Sequence, residues 1–477
     1  MHFYIPANLD IDKVLQERPP TAIKKCNVTY LIYIIHLITW IPAANKGLVI
    51  RNGYVPINST LLQRRIRNYR SYIDYLLVNK IIQTDNQYIK GKKSKGYRLA
   101  WQYCQGIKKV TVGDESLLPS EKNENQLRPS IKRKYNHLLK WYNSDLQINY
   151  ALAMEYIEAD LHRKLSAPVL QRLRAKPQEL RNPRRQYQSA TVNIEKIAAA
   201  HFSPFIDDNV CRLHSVLSNL YSPLRNCLTY NGLDLVSIDI KNCQPYLSTV
   251  LLNPLFWSDD NKHCALLTVN DVFSSCKRDV FKSSSSLSSF IMLCKNDKTR
   301  TGSDLHKYIE LVKDGVFYEY IEHEILKGTV KCDNERKKVK AAVFQVLFTD
   351  NRYIGQEEAK PKRLFKKHFP TVYKIFSAIK RHDKTILPRL LQRIESHLVL
   401  LVIAKRIAKE RRKLPIFTIH DSIITTKGNE EYVRAIIADE MKKAIGIAPK
   451  LSTEHWHPQN LTFNDGAAFC KDQPVAA

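Results

Sequence analysis

No two of the ten cysteines lie within three residues of each other. That spacing excludes zinc ribbons, CxxC redox sites and the dense disulfide framework of small secreted domains. Free thiols in a reducing cytosol are the simplest reading. Long apolar runs are missing too. The most apolar early stretch, Val28 to Ile41, contains His36 and Thr39 and is too short to span a bilayer. It also lies too far from a basic N-terminus to be a signal peptide. Phosphate loops of the GxxxxGKS or GxGxxG type do not occur, and neither does an internal repeat. Acidic residues are few: 46 against 75 Lys and Arg, a formal charge of +29 over 477 residues. Together these features predict a soluble cytoplasmic protein with no membrane partner. The excess charge is beyond what solubility needs and points to a polyanion, nucleic acid ahead of membrane. A basic, solvated surface is the alternative. The length predicts roughly two to four domains.

Residues 25–103 read as one small domain. Val28 to Ile41 is apolar enough for a buried helix, and Asn58-Ser59-Thr60 offers an N-cap before a second helix over Leu61 to Ile66. A third helix is predicted from Arg67 to Asn79, with Tyr69, Tyr72, Ile73, Leu76 and Leu77 near helical spacing. Arg65, Arg67 and Arg70 give it a polar face. Two β-like runs follow, Ile81 to Thr84 and Tyr97 to Trp101, around the basic turn Lys90-Gly-Lys-Lys-Ser-Lys-Gly96. Three helices and a hairpin with a basic tip are the order of a winged helix-turn-helix. Its third helix would enter a DNA major groove, and Lys92, Lys93 and Lys95 of the wing would touch phosphate. A helical protein-docking module with a solvated lysine loop is the other reading. Residues 104–135 are polar and aperiodic, as in a linker. Residues 136–200 return to helical patterning, with a very basic stretch from Arg172 to Arg185. Ser283 to Ser289 marks a loop, and 304–325 and 388–412 read as long helices.

Four segments carry the candidate chemistry. The first is Asp208-Asn-Val-Cys-Arg-Leu-His-Ser-Val-Leu-Ser-Asn-Leu220. The β-like run Leu235-Val-Ser-Ile-Asp-Ile240 then leads into Asp239-Ile-Lys-Asn-Cys-Gln-Pro-Tyr246. Third is Arg336-Lys-Lys-Val-Lys-Ala-Ala-Val-Phe-Gln-Val-Leu-Phe348, and last is His420-Asp421-Ser422 inside the β-rich run Pro415 to Thr426. Asp239 and Asp421 thus each sit at or near a strand end. Two carboxylates on adjacent strands are what a two-metal phosphoryl-transfer site needs, because Mg²⁺ takes hard oxygen ligands in a tight octahedron. If the third segment is helical, Arg336, Lys340, Phe344 and Phe348 share one face. Such a stripe can hold a triphosphate at its basic end and stack a base or sugar at its aromatic end. Alternatively the helix packs Phe344 and Phe348 into a core while its cations snorkel.

In order and spacing these segments resemble the polymerase core shared by family A DNA polymerases and bacteriophage-type single-subunit RNA polymerases, over about residues 195 to 460. The resemblance implies a multidomain α+β fold: a right-hand core with an antiparallel palm sheet and mostly helical fingers and thumb, preceded by the winged helix-turn-helix. Its implied divisions are a reduced thumb over 136–200, palm over 201–255, fingers over 256–394 and palm again over 395–477. It implies that Asp239, the Ile240 carbonyl and Asp421 bind two Mg²⁺ ions, with Mn²⁺ as a substitute. Lys340 and Arg336 then neutralise the incoming nucleoside triphosphate, and Lys340 also protonates the leaving pyrophosphate. Phe344 and Phe348 pack near the sugar and base. Arg212, Asn219, Gln392, His397 and His420 are implied contacts to a DNA template and primer, or to RNA. The implied activity is template-directed extension of a nucleic-acid 3′-end. No segment offers the spaced acids and length of a proofreading exonuclease.

Departures from the family pattern bear on the product. Gln244, fifth after Asp239, stands where DNA polymerases carry a glutamate that excludes a 2′-hydroxyl and RNA polymerases a small residue. It is bulky enough to obstruct a ribose. Phe348 lacks the hydroxyl with which RNA polymerases select ribose. Both favour deoxynucleotides, whereas Arg336 to Val343 and His420-Asp421-Ser422 look more like the RNA polymerase versions. Cys211 replaces the glycine before the motif arginine, and Thr349-Asp350-Asn351 replaces the glycine after the fingers helix. Other readings are a single-subunit RNA polymerase or primase, a non-enzymatic replication initiator or regulator acting through residues 25–103, and a degenerate scaffold.

Overall fold

The computed structural model describes residues 2–45, 48, 50–89, 91, 93–103, 106–111, 129–166, 183–257, 266–274, 303–325, 335–352, 354–381, 383–463, 467 and 469. Lys92, the 283–289 serine run and residues 172–182 of the basic stretch lie outside the described residues. Helices dominate, and every described strand pairing is antiparallel. No helix among the described residues is long and apolar enough to cross a membrane.

The N-terminal unit holds strands β1 (His2–Pro6), β2 (Val55–Pro56), β3 (Ile82–Thr84), β4 (Gly96–Leu99) and β5 (Ile107–Thr111). Its first long helix, Val28–Ala44, is capped by the Asn27 side chain, which accepts from Thr29 N at 2.9 Å. Asn58 caps Ser59–Arg65 in the same way, accepting from Thr60 N at 2.8 Å. The next helix starts at Tyr69 rather than Arg67: Asn68 takes a left-handed backbone (φ 62) that interrupts the turn, so Arg67 precedes the helix. The small sheet runs β2-β4-β3, with β2 an unexpected third member. Leu31, Ile34, Ile35, Ile66, Leu76 and Leu99 form its core with Phe3 and Ile5.

The 104–135 linker is shorter than its composition suggested. Residues Ile107–Thr111 are β5, which pairs along the whole of β1. Pro129–Leu139 is a helix whose Tyr135 and Leu138 are buried in the main core, and His137 Nε2 lies 2.8 Å from the Leu400 carbonyl. Polar composition hid both, because β5 has an exposed lysine pair and the helix is apolar on one face only.

The central sheet is built from β6 (Leu146–Ile148), β9 (Leu228–Tyr230), β10 (Leu233–Ile240), β11 (Ile416–Ile419), β12 (Ser422–Thr426) and β13 (Leu451–Trp456). Strands β7 (Phe205–Ile206) and β8 (Leu213–His214) make a separate ribbon. The sheet order is β11-β12-β10-β9-β6, with β13 also on β10. Both faces are covered, and the burial follows strand alternation. Leu235, Phe417, Ile419 and Ile424 face helices Tyr150–Ser166 and Pro183–Ala198. Ile238, Ile240, Ile416 and Ile423 face helices Ile386–Ser396, Ala404–Glu410 and Glu430–Ile445. This corrects the reading of 136–200 as a thumb. Part of that segment is a strand of the sheet, and its helices cover one sheet face instead of projecting from it.

Two long helices are also interrupted. The run expected over 304–325 ends at Lys313, because Gly315 adopts φ 74, and resumes as Phe317–Tyr320. Between Ile386–Ser396 and Ala404–Glu410 the chain keeps winding with the wider i→i+5 spacing over His397–Ile403. At the end of helix Glu335–Phe348, the expected glycine is replaced by side chains from elsewhere. The buried Lys380 donates to the Val346 carbonyl and, at 3.1 Å, to the Thr349 carbonyl, while Lys362 donates to the Asp350 carbonyl. Cations on the last carbonyls of a helix replace the missing glycine cap. Cys26, Cys227 and Cys243 are free thiols, but Cys211 is disulfide-bonded, so the all-thiol expectation fails at that position.

His36 ties the first strand to the first helix: its Nδ1 accepts from Tyr4 N at 3.0 Å. Burial, with help from Lys196, holds its pKa down at about 3. The unfolded ring takes up a proton near 6.5 and the folded one does not until about 3. Its contribution is therefore complete above pH 6.5 and is lost as the pH falls toward 3. Urea unfolding at stepped pH is expected to show that loss, and His36→Gln, less stable at pH 7, is expected to show a shallower one.

Candidate active site at the end of the central sheet

Strand β10 delivers Asp239 directly opposite Ser422 of β12, the first residue after the β11–β12 turn. That turn is His420-Asp421, closed by the Ile419–Ser422 pair, with His420 exposed and in the left-handed region at φ 56. Short antiparallel pairing thus brings the two sequence-predicted aspartates to one end of the sheet. Ser422 Oγ donates to Asp239 Oδ1 at 2.7 Å, so the serine at this corner supports a carboxylate rather than adding one. Asp421 is held well above the usual carboxylate range, first by burial, then by the charges of Asp239 and Glu395. The Cys243 thiol donates to Asp421 and is itself pushed up by burial and by that neighbour. Ile240, whose carbonyl was expected to join the site, is buried and pairs with Leu451 of β13.

A third carboxylate, not anticipated, completes the cluster. Glu395 is 2% exposed and ends the buried face of helix Ile386–Ser396. Its Oε2 accepts from Arg212 Nη2 and from Gln244 Nε2, each at 2.7 Å. Burial raises its pKa, opposed by Arg212 and Gln244. Three polar atoms of this network, Glu395 Oε1, Gln244 Oε1 and Arg212 Nε, are buried without a hydrogen-bond partner, as is the neighbouring Asn242 Nδ2. Native interiors seldom leave such atoms unpaired outside functional sites. The available signal was a lone acid in a helical run rich in Leu and Ile, three positions after Gln392.

The backbone leading into Arg212 is held by Asp207, the residue before the first motif segment. The Asp207 carboxylate accepts from the backbone N–H groups of Asn209 (2.9 Å), Val210 (2.8 Å) and Arg212 (2.8 Å). Burial works to raise its pKa, but these bonds and His214 outweigh it and hold the group low. Cys211 adopts φ 58, so the backbone keeps the conformation that the absent glycine would take freely.

Helix Glu335–Phe348 turns Val339, Val343, Val346 and Leu347 into the core. Lys340 is exposed, with its Nζ 5.5 Å from the Phe344 ring centroid, and Phe344 and Phe348 are half-buried and stacked at 5.0 Å. Lys340 and Phe344 thus stand at the surface end of the stripe, while Phe348 packs against the main core, as the alternative expected of it. Of Arg336 the structure places the backbone in this helix. The helix packs against Ile386–Ser396, the bearer of Glu395.

Other predicted contacts lie elsewhere. Asn219 Nδ2 donates to the Ala44 carbonyl at 2.9 Å, fastening the N-terminal unit. His397 falls in the wide-turn segment, and its electrostatic neighbours are Asp271, Lys134 and Lys405, outside the acidic cluster. Gln392 is half-buried. In the N-terminal unit Arg67 and Arg70 are exposed, while Arg65 donates to the Tyr33 hydroxyl at 2.7 Å. Lys93 pairs with Asp85 at 3.1 Å, and Lys95 donates to Asn86 Oδ1 at 3.3 Å.

As a metal site, the cluster offers two hard carboxylates whose mutual repulsion a cation would relieve. Among the described residues no group of three or more His, Cys, Asp or Glu is arranged to hold a metal ion. The Asp239–Asp421 pair is thus the candidate donor set, with Glu395 already engaged by Arg212.

No family model matches the chain, and no curated protein matches it. Among solved structures, the chain is similar to the POL domain of Pol1 from M. smegmatis, in complex with DNA primer-template and dNTP. The TM-score is 0.38 at 12% identity, over 67% of this chain and 69% of that one. At that level the likeness carries no inference about activity, which rests on the residues themselves.

Arg212→Ala would leave the Glu395 carboxylate buried without its cation. Removing one partner of a buried pair costs about 3–5 kcal/mol. Urea denaturation at pH 7 is expected to show a loss of that order, far above the ~1 kcal/mol ceiling of an exposed pair.

Proposed function

We propose that this chain is a template-directed nucleotidyltransferase that extends a nucleic-acid 3′-end, with a deoxynucleotide product. The observation that carries the reading is the convergence of Asp239 and Asp421 at adjacent strand ends, with one further buried acid tied to an arginine beside them. Support also comes from the cationic-aromatic face of helix Glu335–Phe348 and from the +29 charge of the chain. In this reading Asp239 and Asp421 hold two Mg²⁺ ions. Bound there, the ions supply the positive charge that lowers the pKa of a primer 3′-hydroxyl and stabilises an in-line transition state at phosphorus. In the same reading Lys340, with Arg336, neutralises the triphosphate, and Lys340 gives a proton to the departing pyrophosphate. Phe344 and Phe348 offer the ring face for a base or sugar. Gln244 supplies bulk and Phe348 lacks a hydroxyl, which together favour deoxyribose. The N-terminal unit is read as a winged-helix DNA-binding domain. In support stand the order of helices and hairpin over residues 28–99 and two exposed arginines, Arg67 just before helix Tyr69–Val78 and Arg70 in its first turn.

The reading is tested by primer extension with Mg²⁺, comparing deoxy- and ribonucleotides. Asp239→Ala and Asp421→Ala are each expected to lower extension by about a hundredfold or more while duplex binding persists. Normal extension by Asp421→Ala sinks the site assignment, and a ribonucleotide product favours the RNA polymerase reading suggested by Ser422.

A combined Arg67→Ala, Arg70→Ala, Lys93→Ala and Lys95→Ala variant of the full chain tests the N-terminal unit. Its binding to duplex DNA is expected to weaken, and the slope of log affinity against log salt to flatten by about 0.9 for each lost phosphate contact. An unchanged slope removes the DNA-binding role from these residues.

A further inference from the structure

We propose that Glu395 is a positioning residue that clamps Gln244 into a fixed wall beside the nucleotide sugar and so sets the preference between deoxy- and ribonucleotides. The inference rests on the reading of the acidic pair as a nucleotide-handling site and names a residue that determines its substrate.

Glu395 has no local reason to be where it is. It lies between Ile394, fully buried, and the buried Ser396, on a helix packed by Leu387, Leu390 and Leu391, whose buried Arg393 is turned to the Asn209 carbonyl. A carboxylate in such a setting costs free energy unless it is paired, and Leu or Met of similar volume would pack there more cheaply. The pairing explains it. One oxygen, Oε2, receives both Arg212 Nη2 and Gln244 Nε2 at 2.7 Å.

That geometry fixes Gln244 completely. An ionised carboxylate accepts and never donates, so the amide must turn its NH₂ toward Glu395. The amide carbonyl is then the atom left over, and it is the buried Oε1 that finds no partner. Gln244 also stands on the first turn of helix Cys243–Ser248, which leaves the end of β10 through Asn242 in a left-handed conformation (φ 54). The wall is therefore anchored at its base by the strand that carries Asp239 and at its tip by Glu395. In this proposal a nucleotide whose α-phosphate is held at Asp239 and Asp421, with its sugar ring three bonds further on, sets that ring against this wall.

An untethered glutamine has three rotatable bonds and can swing aside for one extra hydroxyl. A tethered one cannot do so without breaking a charge-assisted hydrogen bond and leaving a buried acid short of a donor. Glu395 thus acts through Gln244 and need not touch the substrate.

The test is single-nucleotide primer extension by the full chain, with kcat and KM measured for a deoxynucleotide and its ribonucleotide. Glu395→Ala is expected to lower the deoxy-to-ribo ratio of kcat/KM about tenfold, mainly through a lower KM for the ribonucleotide. Glu395→Gln is expected to keep most of the ratio, since its amide oxygen still accepts from Gln244. The Glu395→Ala/Gln244→Ala double variant should be no less selective than Gln244→Ala alone, because one residue works through the other. If Glu395→Ala does not fold by circular dichroism, the remaining pair decides: Gln244→Ala must lower the ratio and Glu395→Gln must preserve it. Equal losses with both nucleotides, or additive losses in the double variant, overturn the proposal. So does a Glu395→Gln enzyme that needs more Mg²⁺ with its ratio unmoved, which would make Glu395 a metal ligand. A wild-type chain that extends no primer with either nucleotide overturns the functional reading, and this inference falls with it. Extension with an unmoved ratio in all variants overturns this inference alone.

Discussion

Three carboxylates crowd one end of the central sheet, and among the described residues only Glu395 has an ion pair of its own. Like charges in a partly dry site repel strongly, and burial adds to the cost. The chain meets that cost with hydrogen bonds at all three acids and with a contact cation at Glu395 alone. Asp239 takes the Ser422 hydroxyl, Asp421 takes the Cys243 thiol, and Glu395 takes Gln244 along with Arg212. None of these donors neutralises the aspartate pair, so the site retains uncompensated negative charge in a protein whose overall charge is +29. Among the described residues no lysine or arginine forms a contact ion pair with either aspartate, and Arg225 acts on Asp239 only as a more distant favourable charge.

Much of the remaining architecture maintains that arrangement. The β10–β12 register places Asp239 against Ser422, and a slip of one residue would turn the aspartate to the opposite face. Helices on both faces lock the register by burying Leu235 and Ile424 on one side and Ile238 and Ile423 on the other. Helix Ile386–Ser396 brings Glu395 up from below. The wide turns that follow let Leu398, Val399, Leu400 and Ile403 stay in the core although the helical phase has shifted. Segments of i→i+5 winding inside helices are frequent at functional sites, where they free one residue from the regular pattern. Here the shift separates Glu395 in the site from His397 outside it.

The pattern of legibility follows from range. Caps at Asn58, the alternation in β10 and the one-faced stripe of Lys340, Phe344 and Phe348 are local, and local spacing was enough to place them. Asp239 and Asp421 were legible as strand-end acids, and their pairing was inferred from order. What the chain order could not carry was contact between distant side chains. Glu395 belongs to the site only because Arg212 and Gln244 reach it across 183 and 151 residues of sequence. Strand β5 was hidden because its partner, β1, lies at the other end of the N-terminal unit. The helices of 136–200 were misjudged for the same reason: helical periodicity reports which face is buried but not what buries it. Asn219 was read as a nucleic-acid contact on motif position; the structure shows one of its amide N–H groups donating to the Ala44 carbonyl.

That hydrogen bond bears on how the two halves of the chain meet. Asn219 and Asn193 both donate to the end of helix Val28–Ala44, at the carbonyls of Ala44 (2.9 Å) and Ala43 (3.3 Å), and Arg185 donates to the Gly53 carbonyl. Nearby, Val192 packs with Tyr4 and Ala43 in a small apolar cluster, and the Lys196 ammonium lies 3.3 Å from the Trp40 ring centroid. Burial lowers the Lys196 pKa to about 7, which marks the depth of this junction. Helix Pro183–Ala198 therefore has two jobs: one face covers the central sheet through Ala190, Ile194 and Ile197, and another grips the N-terminal unit. Because the same rigid element touches both, the exposed Arg67 and Arg70 are held in a fixed relation to the acidic pair rather than carried on a tether. An N-terminal unit that merely recruited the chain to a partner would need only a linker. A buried, hydrogen-bonded junction built on one shared helix suits a unit whose position relative to the acidic cluster matters.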